Sequence, residues 1–529
     1  MSRDPLAAAA LADIPKILTL QDRNPHSPTY GCFDRNYWQY KIIDFPSGMA
    51  QEFVYPLALA WATDCPGNPY YGQAAVREWA IAGMRFAARS AHGDGSCDDY
   101  FPFERAAGAA AFSLLAGIDS YRLLGLRDAE LEAFFARRGA WLAGHRESGR
   151  LSNHEALIAL DLALLEDLSG DDRWRAPFED RLARVLSWQD EEGWFHEYEG
   201  CDPGYLTLTI SALARIHDMR PRDDLRQALE RAVTFAAAFI HPDGTFGGEY
   251  GSRNTYNFFP HGFELVGRWM PTALAINDRF LDALAAGRGA CFADDHIVGH
   301  HCWNYLLAWR DFAAERPAPG VLEVADGRRH FANAGLIVER RGDTVLFLAL
   351  YKGGVFKFFR AGRLVAGDTQ ISFRLKDGRN AVAHLAGAYQ TRLDDDEIEI
   401  RGEFAWAKQP RMTVAKLIVL RLLMVTVGRF YPDGVRRILQ RLLITGRRTA
   451  PFAFVRRLTW RDGQWVVRDE VTTADWGAVA AAGIGGDQTS IHVVMSRTYQ
   501  AGQLQPWQDL TGQVETLAEG EALVVERSL

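Results

Sequence analysis

The strongest constraint in this 529-residue chain is a glycine turn that returns at nearly even spacing between helical segments. It appears as His-Gly-Asp-Gly-Ser (92–96), Glu-Ser-Gly-Arg-Leu-Ser-Asn (147–153), Asp-Glu-Glu-Gly-Trp-Phe (190–195) and Pro-Asp-Gly-Thr-Phe-Gly-Gly (242–248). From Gly95, Gly149, Gly193 and Gly244 the steps are 54, 44 and 51 residues. A period near 50 residues with one tight turn per period describes a repeated helical hairpin. The intervening segments fit: 106–116 and 155–165 are rich in Ala and Leu, and 225–236 is amphipathic with a helical period. Hairpins that close on themselves make an α/α toroid; an open solenoid is the alternative.

Composition narrows the class. With 48% hydrophobic, 12% aromatic and 24% charged residues, the chain is neither disordered, collagen-like nor a small disulfide scaffold. Its net charge of −8 does not favour global binding to nucleic acid. The six cysteines include no CxxC pair, which fits a reducing compartment. At the N-terminus Asp4 and Asp13 bracket a short apolar run, so an amphipathic helix is expected there rather than a signal peptide. A cytoplasmic location follows as an expectation. No apolar run reaches the roughly 18 residues of a membrane-spanning helix.

The pattern changes after Arg-Pro-Ala-Pro-Gly (316–320). Residues 334–350 suggest two strands around a Gly-Asp turn, and 354–359, 369–375, 397–404 and 464–471 continue in β fashion. The expected organisation is therefore α+β: a toroid over 1–315 carrying the catalytic candidates, then an antiparallel β-sandwich over 321–529. A basic helical insertion at about 411–448 interrupts the sandwich. Residues 411–457 hold eleven Lys and Arg against one Asp, a balance of +10 in a chain otherwise at −18. Within it, 435–443 has the pattern of a basic amphipathic helix. Three readings fit: an insertion packed on the sandwich with solvated Arg heads, an anionic-polymer surface, or a peripheral membrane contact.

In a toroid the inner helices run parallel, so their N-termini share one rim and attract anions there. Ser152 and Glu155 have capping-box spacing, which leaves Asn153 and His154 in a first turn without a capping duty. Asp202 and Pro203 fit N-cap and N1 of the next start, with Tyr205 in its first turn and Glu197 and Tyr198 just upstream. A fourth start is expected at 251–257, before His261. It holds Asn254 and Arg253, a side chain suited to clasping a carboxylate or sulfate. Arg35 and Trp38 belong to another polar and aromatic knot, and aromatic faces suit sugar rings. We take Arg253, Asn254, Glu197, Tyr198, Arg35, Trp38 and Glu104 as substrate-binding candidates.

This pattern resembles the heparinase II/III superfamily of polysaccharide lyases, in which an incomplete α/α toroid precedes a β-sandwich. The local markers are Asn153-His154 at a helix start, the Tyr205 segment after Glu197, and Phe331 to Arg340 opening the sandwich. The resemblance implies β-elimination across a uronic acid in an anionic oligo- or polysaccharide. The proton alpha to the carboxylate is very weakly acidic, so the carboxylate must be neutralised before a base can remove it. By resemblance Asn153 is the neutraliser, helped by Arg253. Tyr205 is the acid and can also serve as base, and His154 or His261 is a candidate base. Many relatives carry an H-x-H-x-D-like stretch early in the sandwich. Here Leu364 and Ala366 occupy the His places and only Asp368 survives. No cofactor is therefore assigned; a divalent metal would lack those sandwich ligands. Other readings are a glycoside hydrolase, which needs two facing carboxylates from among Glu104, Glu197, Asp202, Glu249 and Glu264, another toroid enzyme of the cyclase type, and a non-catalytic glycan-binding or assembly protein.

Overall fold

A computed structural model describes residues 2–197, 200–292, 297–318, 321–322, 325–385, 387–407, 413–432, 434–435, 438, 448–486 and 500–529. Its first half is helical. The inner helices are α3 (Val54–Ala62), α5 (Ala107–Leu123), α7 (Ser152–Ser169), α9 (Pro203–Met219), α11 (His261–Val266) and α13 (Ile297–Arg310). Each packs on the next, and α13 packs on α3, so the ring closes. Outside them lie α4 (Ala74–Ser90), α6 (Ala129–Gly144), α8 (Arg175–Leu186), α10 (Asp223–Ala236), α12 (Pro271–Ala285) and α1 (Asp4–Leu20). The short α2 (Arg35–Trp38) lies between α1 and α3. Sequence explains the two layers. Helices α5, α7 and α9 are apolar nearly all round and buried nearly all round, whereas α10 buries one stripe and turns its charges to water.

The glycine turn is a repeated structural unit. At 92–96, 190–194 and 241–245 the first N–H bonds the carbonyl four residues on, and the glycine N–H bonds back to the first carbonyl. Gly95, Gly193 and Gly244 have φ of +90°, +103° and +80°. A Cβ on any of them would also lie 2.3–2.5 Å from backbone of the adjacent outer helix, at Arg138, Arg231 and Arg279. Conformation and close approach both demand glycine.

The second half is two antiparallel sheets. One runs β1-β2-β3-β4-β5, from Gly327–Phe331, Leu336–Arg341, Thr344–Ala349, Val355–Arg360 and Arg363–Asp368. The other is built around β6 (Ile371–Leu375), β9 (Glu397–Ala407), β10 (Thr449–Arg461) and β11 (Gln464–Thr473). Every residue of β3 is buried, because the first sheet is a middle layer. Alternation divides its faces: Leu346, Leu348, Phe356 and Phe358 pack into the sandwich, and Val345, Phe347, Val355 and Phe359 pack on the toroid.

Three local expectations change. The capping box at α7 does not form: Ser152 makes no cap bond, and Glu155 pairs with the buried Arg181 at 2.8 and 2.9 Å. A long-range cation outbids the local N–H. The fourth start is a loop; residues 251–260 stay non-helical and α11 begins at His261. In the basic segment, α14 (Val414–Leu423) is helical and capped by Thr413, but most of the expected second helix at 435–443 lies outside the described residues.

Candidate functional site

The rim at the N-termini of α5, α7 and α9 gathers most of the chemistry. Ladder-like pairing begins it: Glu197 bridges Leu151, the residue before α7, and Gly200. That carries the Glu197 side chain over the first turn of α7, where its carboxylate accepts from Asn153 Nδ2 at 2.7 Å. Arg253 Nη1 donates to the other oxygen at 2.6 Å. Asn153, Glu197 and Arg253 are all buried. Burial pushes the Glu197 carboxyl above the usual glutamate range, against the pull of Arg253, His154 and the Asn153 hydrogen bond. Asn153 Oδ1 is buried and has no hydrogen-bond partner among the described residues.

Asp202 sets the next helix and the next loop together. Its carboxylate caps α9 by accepting from Tyr205 N at 2.9 Å. It also accepts from Arg253 N at 2.9 Å and from the Thr255 hydroxyl. Gly204 is needed here, since a Cβ would fall 2.1 Å from Thr255 Oγ1. One carboxylate thus fixes both Tyr205 and Arg253, and the Arg253 guanidinium lies 4.5 Å from the centre of the Tyr205 ring. His154 lies in the same first turn as Asn153. Its Nδ1 pairs with Glu147 at 2.8 Å, and its ring rests against Gly108 at the start of α5. Asn254 is in the left-handed region at φ +58° and half-buried.

The structure therefore brings together Asn153, His154, Glu197, Tyr205, Arg253 and Asn254. It sets His261 apart. That imidazole pairs with Asp311 at 2.7 Å, and Gly262 beside it packs on Ser211, about 9 Å along α9 from Tyr205. Arg35 and Trp38 are engaged locally, with Gln39 and Tyr40 and with the carbonyl of Leu20. Glu104 accepts from the N–H groups of Asp99, Tyr100 and Phe101 and so organises the loop leading into α5. Tyr198 lies outside the described residues. Glu147, the partner of His154, was missed; it stands in the glycine turn at 147–153, and only the fold reveals its contact.

The carboxylates weighed for a hydrolase are each engaged. Glu104 holds its loop, Glu197 the clamp and Asp202 its cap; Glu249 faces Lys357 at 3.3 Å, and Glu264 accepts from Arg316 and Asn277. In the sandwich, Asp368 accepts from Arg456 at 3.0 and 3.1 Å and from Arg527 at 2.7 Å. Two guanidiniums hold it down at about 2. Among the described residues no cluster of three His, Cys, Asp or Glu is arranged to hold a metal.

No family model and no curated protein matches this sequence. Solved structures do. A xanthan lyase from Paenibacillus is 13% identical with a TM-score of 0.52, over 91% of this chain and 46% of that one. A chondroitin AC lyase from Streptomyces coelicolor A3 is 12% identical with a TM-score of 0.51, over 99% of this chain and 79% of that one. This chain spans about half the length of the xanthan lyase. The fold is the one these two solved structures have, a helical toroid followed by a β-sandwich.

Proposed function

We propose that this protein cleaves an acidic, uronate-containing glycan by β-elimination. The observation that carries the reading is the carboxylate clamp: Asn153 and Arg253 grip one carboxylate beside Tyr205, on the rim where the helix N-termini converge. Here the gripped carboxylate is the chain's own Glu197. A substrate uronate takes that position and Glu197 withdraws. Amide and guanidinium then neutralise the uronate and stabilise the enolate-like charge that develops. Tyr205 or His154 accepts the proton alpha to the carboxylate, the bond from the β-carbon to the glycosidic oxygen breaks, and Tyr205 returns a proton to that oxygen. Glu147 orients the His154 ring through Nδ1. The product pair is a new reducing end and a conjugated unsaturated uronate.

The engaged state of the five weighed carboxylates tells against the hydrolase alternative, which needs a facing acid and base. The test is a panel of uronic-acid polymers and oligomers assayed for ultraviolet absorbance and for reducing ends in the same wells. Both rising together is the expected result. Reducing ends without absorbance would replace elimination by hydrolysis, and binding without either product would make the protein a glycan binder.

A further inference from the structure

Helix α14 and its π-helical continuation to Gly428 carry an apolar surface that the fold leaves uncovered. No residue of α14 is buried. Val414 is 77% exposed and Val419 65%, and Leu417, Ile418 and Leu422 are more than half exposed. Phe430, just beyond, is 72% exposed. A ten-residue helix does not hold itself in water, and soluble proteins rarely display a contiguous apolar patch of this kind without a partner. Among the described residues, Arg421 pairs with Asp44 at 2.6 Å and lies over Phe45, Met424 and Gly428 are buried, and Arg429 stacks over Phe103 at 5.3 Å.

Charge selects the occupant. The exposed aliphatic side chains are interleaved with Lys416, Arg421 and Arg429, and residues 413–431 include no acidic side chain. An acidic glycan would pair with the cations and leave Val, Leu and Ile in water. A second copy would bring like-charged cations face to face. An anionic bilayer satisfies both features, accepting aliphatic groups below its headgroups and cations among them. No helix among the described residues is long and apolar enough to cross a membrane, so the contact is one of lying on the surface.

We propose that α14 and residues 424–431 dock this protein on an anionic lipid surface. The docking segment touches the loop beside the candidate site. Phe103 belongs to the loop that leads into α5, and Gly108 of α5 lies against the His154 ring. Docking therefore brings the site to glycan held at a membrane surface. That last consequence rests on the lyase reading; the docking does not.

The test is cosedimentation of the full-length protein with vesicles of phosphatidylcholine, with and without phosphatidylglycerol. The protein should pellet with the anionic vesicles only, and less so as salt rises. The double variant Leu417→Glu, Leu422→Glu alters exposed positions and should keep its melting temperature, but its vesicle partitioning should fall by at least about tenfold. Failure to pellet with anionic vesicles, or equal pelleting by the variant, would overturn the proposal. So would a variant that changes only the sedimentation-velocity mass of the protein alone, which would assign the face to self-association. Vesicle binding is read without any glycan, so it stands or falls separately from the elimination assay.

Discussion

The amide variant Glu197→Gln tests whether the clamp is built for a foreign carboxylate. In the native chain a uronate must displace two hydrogen bonds to a carboxylate, from Asn153 at 2.7 Å and Arg253 at 2.6 Å. A hydrogen bond to a charged group contributes about 1.5–3 kcal/mol and one between neutral groups about 0.5–1.5. Exchange to the amide keeps size and an acceptor oxygen but weakens the competitor by about 1–2 kcal/mol in all. Affinity for a uronate should then rise by roughly 5- to 30-fold. The pH dependence carries a second signature. Burial raises the Glu197 carboxyl above its usual value of 4.5, so the proton that disarms the internal competitor binds as pH falls from neutrality into that raised range. Native affinity should therefore improve on acidification, until the uronate itself protonates, and the amide variant should lack that slope. Calorimetric titration with glucuronate and galacturonate across pH measures both effects, with glucose as the uncharged control. Equal or weaker uronate affinity in the variant at every pH would refute the internal-competitor argument, and a matching gain for glucose would refute its electrostatic basis.

Three other outcomes are expected. Tyr205→Phe should lower elimination by about 10²–10⁴ and Asn153→Ala by about 10²–10³, measured as absorbance of the unsaturated product; near-native rates in both would end the assignment. Asp202→Ala should cost about 2–3 kcal/mol in denaturant unfolding, since a cap and two loop bonds go together, and should impair turnover by releasing Tyr205 and Arg253; full activity would show that the cap does not position them. Asp368, held at about 2 against an ordinary 3.8, contributes stability that is present above 3.8 and lost as pH falls toward 2, about 2 kcal/mol in all. Asp368→Asn should abolish that acid-limb slope, and parallel unfolding curves for native and variant protein would contradict the ion-pair account.

What was legible in the sequence was local or periodic. Asp202 and Pro203 mark the start of α9 because cap and N1 chemistry is decided within four residues. The spaced glycines predict the hairpins because three of the four turns repeat one backbone geometry. The failures are all long-range. Glu155 has the right spacing for a capping box, but Arg181, 26 residues on, supplies a buried cation that a backbone N–H does not match. His261 follows the loop that carries Arg253, yet α11 starts only there and directs the ring to Asp311, 50 residues away. The conversion of Asp368 into a doubly clamped carboxylate depends on arginines 88 and 159 residues distant. No pattern within one segment announces such partners.

The loop that presents Arg253 is not held by the helical half alone. Lys352 Nζ donates to the carbonyls of Glu249 and Gly251, and the Tyr351 hydroxyl to that of Tyr250. All three carbonyls belong to the toroid and both donors to the sandwich. A cut at the junction between the two halves would remove those three hydrogen bonds and leave the loop to its contacts within the toroid, among them those with Glu197 and Asp202. Each half thus holds part of the same loop, which makes them poor candidates for independent shuffling between proteins. Lineages that keep the toroid without this sheet would have to rebuild the loop from within.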